Sequence, residues 1–497
     1  MNDLAEKALH GLEVARREVC ARPMSSFSVL GLGLSIVVLI SGGDVAAARA
    51  TIPLTGWLGL QETHGARGGP PGVVLVASIA GLVLTWLAMA EYVRRRRPPA
   101  PRVWWLAGAW ALPFVVGPPL LDTTAYSYVG YGLLQRNGHS PYGSGPSRLG
   151  PVDIVSAIEP SARDTPSGVG GLGTLVQHLA VSMTAGNALL AVIVLRAFAV
   201  LSVIVIGRCA AELAGRWRSE TLSLTIANPL LLLYVVSAEH LDGLMVALVV
   251  AGVLAATQRR WVRAIVLVTL AGSVGGQAFV VLPVVVMVHW LGRRGRPGWH
   301  LVGRDVLVAL GTFAVVGVAA WDGFGWFGTI DDQFGAHTPF GIAGATAELL
   351  TPIVRGASYD DLAAGARITA FAAMLCVVVY LVATARHRSI ERTAGYALLA
   401  VALLAPLLYP WYLTWALPLL AVAAVGARRI LVLALTAAGC ALAPPGFTSL
   451  TTHLVTGVSL ALVATAAGLA WWWTSRSAEP PVSGESTPAE LPATAPS

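Results

Sequence analysis

The sequence predicts an all-α integral membrane protein with about 12 full spans and two short half-helices. Of the 497 residues, 56% are hydrophobic and only 12% are charged, and the mean hydropathy is +0.70. A soluble domain carries about a quarter charged residues, so this chain lacks the polar side chains needed to cover a water-facing surface. Apolar segments of about 20 residues, the length that crosses a bilayer as a helix, recur along the chain.

The apolar segments divide into full spans and one broken stretch. Full spans are predicted near residues 27–42, 72–92, 103–121, 187–207, 222–238, 242–257, 304–321, 366–385, 395–409, 412–425, 429–443 and 454–473. The stretch 264–291 has Gly272, Gly275 and Gly276 in its middle and basic clusters at both ends. It is predicted to enter and leave the membrane on one side as half-helices, because irregular backbone at that depth needs protein or a cavity around it.

The basic residues indicate the orientation of the chain. With the N-terminus inside, the great majority of the 33 Lys and Arg residues fall in predicted inner segments, which is typical of the cytoplasmic side. This bias explains the net charge of +7 without a nucleic-acid partner. We expect a multi-pass protein of the inner (plasma) membrane with both termini in the cytoplasm. The predicted divisions are a cytoplasmic segment 1–26, a membrane domain 27–473 with outer loops 43–69, 122–186 and 322–365, and a disordered cytoplasmic tail 474–497.

The second outer loop opens with a carboxylate and tyrosines. Asp122 lies where a span meets the outer face, and Tyr126 and Tyr128 follow it in one short helix. Tyrosine favours the headgroup level because it joins an apolar ring to a polar tip. The pattern suits a carboxylate presented to a substrate at the membrane surface. An aromatic belt with a helix-capping aspartate is the alternative.

Three ionisable groups form the segment Glu239-His240-Leu241-Asp242 between two apolar spans. Such groups are costly at membrane depth unless they are paired or functional, although a solvated hairpin tip is the alternative. Arg196, in the middle of a span, also needs an anionic partner. The sequence leaves Glu239, Asp242 and a phosphate open as that partner.

Two further outer motifs carry weaker signals. Asp331, Asp332 and His337 are residue types that bind divalent metals, but their spacing matches no ligand pattern and favours a solvated loop. Trp411 and Tyr412 lie in a break rich in proline and aromatic residues, which is typical of an interfacial belt. The sequence has no Walker loop, dinucleotide fingerprint or zinc-binding His-Glu-x-x-His helix. We therefore expect no bound metal and no cytosolic nucleotide-driven reaction.

Several short motifs, taken in order, resemble one family. They are Gly117-Pro118-Pro119-Leu120, Tyr126-Ser127-Tyr128, Pro141-Tyr142 with Gly145-Pro146, Ala227-Asn228-Pro229-Leu230-Leu231, His240 with Asp242, Gly323-Phe324-Gly325-Trp326, and Pro410-Trp411-Tyr412 with Trp415. Over roughly residues 100–425 the chain resembles the actinobacterial polyprenol-phosphomannose-dependent α-1,6-mannosyltransferases of the multispanning GT-C class. The resemblance implies a GT-C-like helical bundle with an outward-facing active site and no cofactor. It also implies a polyprenyl-phosphate-mannose donor and a mannan or lipomannan/lipoarabinomannan acceptor.

The resemblance implies roles for individual residues. Asp122 is the expected catalytic base, which would remove the acceptor hydroxyl's proton as the polyprenyl phosphate leaves. The expected substrate-binding residues are Tyr126, Tyr128, Arg196, His240, Asp242, Gln277, Arg367, Trp411 and Tyr412. Arg196 and Arg367 would contact the phosphate charge. Trp411 and Tyr412 would contact the sugar or the lipid chain. Membrane lipid is the remaining expected partner.

Several positions depart from the family pattern. The departures are Thr124 in place of the usual catalytic Asp, Ser140 for Asp, Leu241 for Asn, Phe279 for Lys, and a Gly-Val-Gly-Gly run at 168–171 that lacks the usual Tyr and prolines. Asp122 stands two residues before the usual place, and such a shift rotates a helical side chain by about 200°. Two alternatives to an active transferase therefore stay open. One is an inactive homologue that serves envelope assembly, and the other is a lipid-sugar transporter, which the half-helices suggest.

Overall fold

The computed structural model describes residues 23–46, 70–291, 299–331, 341–354 and 356–443. Some sequence-based predictions lie outside the described residues. They are the span 454–473, the tail 474–497, most of the segment 1–26, most of the loop 43–69, and the residues Asp332 and His337. Within the described ranges every regular element is a helix.

The described residues form the following helices. The first nine are α1 Pro23–Ala46, α2 Pro70–Arg96, α3 Ala100–Val116, α4 Thr124–Arg136, α5 Asp153–Ala157, α6 Gly171–Met183, α7 Ala188–Ala214, α8 Arg218–Leu224 and α9 Pro229–Leu231, which continues as the π-helix Leu232–Ser237. The others are α10 Asp242–Thr257, α11 Trp261–Val274, α12 Val281–Leu291, α13 Trp299–Ala319, α14 Ile342–Leu350, α15 Tyr359–Ala383, α16 Ile390–Leu404, α17 Leu417–Ala421 and α18 Ala427–Ala441. Short 3₁₀ turns cover Pro146–Leu149, Pro160–Ala162, Gly215–Trp217, Gly276–Val280, Gly325–Thr329, Ala385–His387 and Pro410–Trp415.

Five helical segments of the described chain are long and apolar enough to cross a bilayer. They are Pro23–Gly42, Gly72–Arg96, Ala188–Leu224, His300–Ala319 and Tyr359–Ala383. A sixth is counted if Pro229–Ser237 and Asp242–Thr257, which meet at 119°, form one broken span. The apolar helices indicate a multipass membrane protein, whereas the predicted total of about 12 spans is not confirmed.

Several predicted spans differ from the helices observed, among them the span at 222–238, which covers the end of α8, a turn, and α9 with its π-helix. The span predicted at 103–121 ends at Val116, since Gly117-Pro118-Pro119 cannot continue a helix. The span predicted at 412–425 is a 3₁₀ turn followed by the short helix α17. Pro418 explains the interruption, because proline has no N–H to donate and is tolerated only in the first turn of a helix.

The broken stretch predicted from its glycines is present. Helices α11 and α12 are joined by the 3₁₀ turn Gly276–Val280, so the backbone leaves helical geometry next to Gly275 and Gly276. A Cβ added to Gly275 would lie 2.6 Å from the Gln277 amide nitrogen. Glycine at this position therefore leaves room for the Gln277 side chain beside the turn.

A buried layer at one end of the bundle is formed by α4 and α6. Most of the α4 side chains from Ala125 to Gln135 are buried, although α4 is too short to cross a bilayer. A Cβ on Gly132 would lie 2.5 Å from the main-chain oxygen of Gln177 in α6. Glycine is thus required at Gly132 for the two helices to approach.

Replacing Gly132 with alanine should lower the free energy of unfolding by about 1–3 kcal/mol, because the clash is with main chain that cannot rotate away. Gly108→Ala in α3 is the matched control, since nothing lies within 4 Å of a Cβ added there. Alanine stabilises a helix interior by about 0.5–1 kcal/mol relative to glycine, so the control should be neutral or stabilising. Thermal unfolding in detergent measures both variants, and equal destabilisation would contradict the close approach of α4 and α6.

Candidate active site

Two carboxylates flank the imidazole of His240. Its Nε2 lies 2.7 Å from Asp122 Oδ2, and its Nδ1 lies 3.7 Å from Asp242 Oδ2. Asp122 lies two residues before α4, His240 lies in the turn 238–241, and Asp242 is the first residue of α10. The fold therefore brings Asp122 together with two of the three ionisable residues in the segment 239–242.

The start of α4 presents Asp122. The preceding residue, Leu121, has a left-handed backbone with φ of +74°, and Asp122 Oδ1 accepts a hydrogen bond of 2.9 Å from the Thr124 main-chain N–H. The other carboxylate oxygen faces His240. Asp122 thus holds the first turn of α4 and also contacts the imidazole.

The turn 238–241 is held in an unusual conformation. The His240 main-chain N–H donates to the Tyr234 carbonyl at 3.1 Å, at the end of the π-helix, and Glu239 has φ of +61°. A positive φ is uncommon for residues other than glycine, and such strained residues cluster at functional sites. Asp122 and His240 each directly follow one of these residues.

The buried cation Arg196 holds this turn in place. Its guanidinium lies 2.5 Å from Glu239 Oε1, and both side chains are almost completely buried. It also donates to the carbonyls of Phe114, Gly117 and Ser237. Of the partners that the sequence left open, Glu239 is the one in contact. Arg196 does not line the pocket described next, so its contacts join α7 to the end of α3 and to the turn.

The turn borders a polar pocket of about 320 Å³. Its lining includes Thr124, Tyr128 and Tyr131 from α4, His240, Leu241 and Asp242 from the turn, Gln277 from the break between α11 and α12, and Trp411, Tyr412 and Trp415. The predicted binding residues Tyr128, His240, Asp242, Gln277, Trp411 and Tyr412 therefore meet around one cavity. Asp122 is not part of this lining, but its side chain is 22% exposed beside His240.

Aromatic rings form one wall of the pocket. The Trp411 ring lies 4.3 Å from the His240 ring, and Tyr412 stacks on Trp415 with the ring centres 4.0 Å apart. Trp415 donates its indole N–H to Asp242 Oδ1 at 2.6 Å. Trp415 was part of a quoted motif but not a predicted binding residue, although its spacing of three residues from Tyr412 places both rings on one face of the 3₁₀ turn Pro410–Trp415.

His240 supplies the positive charge of the pocket. Burial lowers the pKa of His240, but Asp122 and Asp242 together outweigh burial and raise it from the usual 6.5 to about 9. The imidazole is therefore protonated at neutral pH. Among the described residues that line the pocket there is no Arg or Lys, so a bound anion would meet His240 first.

An apolar groove of about 410 Å³ adjoins the polar pocket. The two cavities share Gly168, Gln277, Tyr412 and Trp415 as lining residues. Beyond these shared residues the groove is lined mainly by apolar side chains, among them Val280, Phe371, Met374, Leu375, Val378 and Leu407. A ligand with a polar head and a hydrocarbon chain matches this junction.

Three predicted binding residues line neither cavity: Arg196, which is held by Glu239, together with Tyr126 and Arg367. Tyr126 is buried within α4, and Arg367 is half-buried on α15, one helical turn before Phe371 of the groove. Of the positions that depart from the family pattern, Thr124, Gly168, Val169 and Leu241 line the polar pocket. Phe279 instead packs against Phe313, with 5.7 Å between ring centres.

No cluster in the described part of the chain offers three or more His, Cys, Asp or Glu side chains placed to hold a metal ion. Asp331 is described, whereas its two neighbours in the candidate metal motif are not.

The helices define a multipass membrane protein in which a polar pocket adjoins an apolar groove. The family model described as "Alpha-(1->6)-mannopyranosyltransferase, N-terminal domain" matches residues 28–291, more than half of the chain, and the model described as "MptB C-terminal domain" matches residues 338–473. The chain belongs to the alpha-(1->6)-mannopyranosyltransferase family. The family predicted from the motifs is thus confirmed.

The names of similar proteins match the description of the family model. Alpha-(1->6)-mannopyranosyltransferase A of Mycobacterium tuberculosis is 26% identical over 423 residues, which cover 81% of each chain. The protein of the same name from Corynebacterium glutamicum is 23% identical over 49% of this chain and 54% of its own. Alpha-(1->6)-mannopyranosyltransferase B of Corynebacterium glutamicum is 25% identical over 69% of this chain and 64% of its own. No solved structure matches the chain.

Replacing Arg196 with methionine should lower the free energy of unfolding by about 3–5 kcal/mol, because it leaves Glu239 buried without its partner. Adding Glu239→Gln to Arg196→Met should restore part of the loss, since the uncompensated charge is removed. Arg102→Met, at an exposed arginine, is the control and should have little effect. Thermal unfolding in detergent measures the series; a stable Arg196→Met protein would contradict a structural role for the ion pair.

Proposed function

We propose that the chain transfers mannose from a polyprenyl-phosphate donor to a mannan acceptor on the outer face of the plasma membrane. The product is an α-1,6 linkage in the backbone of lipomannan or lipoarabinomannan. The observation that carries the proposal is the Asp122–His240–Asp242 cluster beside the apolar groove. The names of the relatives support the sugar and the linkage.

The donor occupies both cavities in this proposal. The polyprenyl chain lies in the apolar groove, where burial of hydrocarbon is favourable. Its phosphate lies where groove and pocket meet, near Gln277 and Tyr412. The mannosyl ring then enters the polar pocket, where Trp411 and Tyr412 offer aromatic faces. This arrangement brings the bond between sugar and phosphate close to His240.

The reaction is a single displacement at the anomeric carbon. Asp122 accepts the proton of the acceptor hydroxyl, the hydroxyl oxygen forms the new bond to the anomeric carbon, and the bond to the phosphate oxygen breaks. The polyprenyl phosphate leaves with the electron pair of that bond. The positive charge of protonated His240 offsets the charge that develops on the phosphate, which favours the transition state.

Asp122 replaces the carboxylate that the family usually has at Thr124. The left-handed backbone at Leu121 supports this assignment, because it turns the Asp122 side chain toward His240 despite the shift of two residues. Thr124 lines the pocket but has no group that accepts a proton at neutral pH. An inactive homologue is the outcome if Asp122 cannot act as the base.

The basic end of the bundle supports an outward-facing pocket. Helix α2 ends in Arg94, Arg95 and Arg96, and α10 is followed by Arg259 and Arg260. The pocket instead lies at the other end of α10, beside Asp242. Because clustered arginines mark the cytoplasmic side, the pocket is assigned to the outer side.

Replacing Asp122 with asparagine should reduce kcat by about 10²–10⁴-fold, because asparagine keeps the shape and the cap but accepts no proton. The assay uses purified protein with radiolabelled polyprenyl-phosphomannose and an α-1,6-linked mannose disaccharide. Asp164→Asn is the control, since Asp164 accepts a hydrogen bond from the Ser147 hydroxyl at an exposed site. Full activity in Asp122→Asn would exclude Asp122 as the base. A wild-type protein that is inactive with every acceptor would favour the interpretation as an inactive homologue.

The transfer rate should depend on the charge of His240. Its pKa is raised to about 9, so the charge is present below that pH and is lost as the pH rises through about 9. The transfer rate should therefore fall as the pH rises through about 9, which gives the pH–rate profile an alkaline limb. His240→Gln keeps a hydrogen-bond donor without a charge, so its rate should be lower and should lack this limb. An unchanged limb in His240→Gln would assign the titration to another group.

A further inference from the structure

A second polar pocket lies at the far end of α4. It has a volume of about 270 Å³ and is lined by Gln135, Gly138, Leu175, His178, Ala319, Ala320 and Trp321. Tyr131 of the first pocket and Gln135 of the second are one helical turn apart and share a face of α4. At a rise of 1.5 Å per residue, Tyr128 and Gln135 are about 10 Å apart along the helix.

This second pocket contains polar atoms that the described chain does not satisfy. Gln135 is 8% exposed, and its Oε1 is buried without a hydrogen-bond partner among the described residues. The Nδ1 of His178 is also buried without such a partner, while its Nε2 lies 3.3 Å from the Ser182 hydroxyl. Each unsatisfied buried group costs about 1–3 kcal/mol, so native proteins rarely retain one without a reason.

An exposed aromatic residue with a strained backbone, Trp321, lies at the rim of the second pocket. Trp321 is 64% exposed and has φ of +62°, which is an outlier for a bulky side chain. The next residue, Asp322, accepts a hydrogen bond from the Ser140 hydroxyl. This contact ties the Trp321 loop to the segment that follows Gly138, so it joins two walls of the pocket.

The chemistry of the lining favours a neutral sugar. No Arg or Lys is among the described residues that line it, whereas phosphate recognition relies on such cations. An amide oxygen and an imidazole nitrogen bind hydroxyl groups, and an exposed indole offers an apolar face to a sugar ring. Val315 and Val318, just before Trp321 on α13, are 69% and 76% exposed, as expected of lipid-facing side chains. The pocket therefore lies close to the lipid boundary.

We propose that this second pocket binds a hexose ring of the acceptor glycan, away from the ring that reacts. This inference rests on the proposed function, because it requires an acceptor longer than one sugar. In this arrangement α4 separates the reacting ring from the bound ring by a fixed distance. The pocket thereby selects acceptors that are long enough to reach it, either as free oligosaccharides or as glycolipids.

The test measures binding without turnover. Fluorescently labelled α-1,6-linked mannose disaccharide and hexasaccharide are titrated, without donor, into wild-type protein and into Gln135→Leu and Trp321→Ala. We expect the hexasaccharide to bind the wild type about 10-fold more tightly than the disaccharide. Both variants should lose this preference while disaccharide binding stays unchanged. The same sugars attached to a lipid in phosphatidylcholine vesicles form a second arm, and a preference seen only there would assign the ligand to a glycolipid.

Two controls separate binding from folding. Gln135→Leu removes an unsatisfied buried amide at similar volume, so its thermal stability should equal or exceed that of the wild type. Trp105→Ala removes another exposed indole, 81% exposed on α3, and should keep the length preference. No length preference in the wild type in either arm would overturn the proposal. So would equal weakening of both sugars in the two pocket variants, or the same loss in Trp105→Ala.

The binding test and the transfer assay fail independently. A wild-type protein that binds the hexasaccharide preferentially but transfers no mannose would contradict the proposed reaction. The second pocket would then still be a glycan-binding site. A wild type that transfers mannose to the disaccharide but shows no preference for length would keep the reaction and overturn the second pocket.

Discussion

The buried ion pair between Arg196 and Glu239 is the interaction on which the pocket depends. A single charge within a membrane bundle is costly, so each partner requires the other. Their contact joins α7 to the turn that precedes α10, and the guanidinium also donates hydrogen bonds to carbonyls at the end of α3. Because His240 directly follows Glu239, the position of the imidazole is set by this pair. The pair also compensates for the left-handed backbone at Glu239.

The charge and polarity of the site follow from what surrounds that turn. Asp122 and Asp242 approach the imidazole from two sides and keep it protonated despite burial. The apolar groove beside it removes water from one wall, and electrostatic interactions strengthen where water is excluded. A polar pocket and a hydrocarbon groove that share Gln277 and Tyr412 suit a substrate with two chemically different ends. Helix α4 extends this arrangement to the second polar pocket.

Part of this arrangement was predictable from local patterns. Asp122 and His240 stood out because ionisable groups are rare beside apolar spans, and the order of the motifs indicated the family. The number of spans was less accessible, since hydropathy alone does not separate a full span from short helices interrupted at Pro418. The partner of Arg196 also stayed open, because the rotation of one helix against another depends on packing between distant segments.

The sequence by itself determined the membrane environment, the glycine break between α11 and α12, and the family, because these follow from composition, local backbone preference and motif order. Only the tertiary structure decided that Asp122 contacts His240. It also decided that Arg196 pairs with Glu239 and that Trp321 stands over a second pocket. These contacts join residues that are distant in the chain, and three of the positions involve a left-handed backbone. Packing selects such a conformation against the local preference of Leu121, Glu239 and Trp321, so no local pattern predicts it.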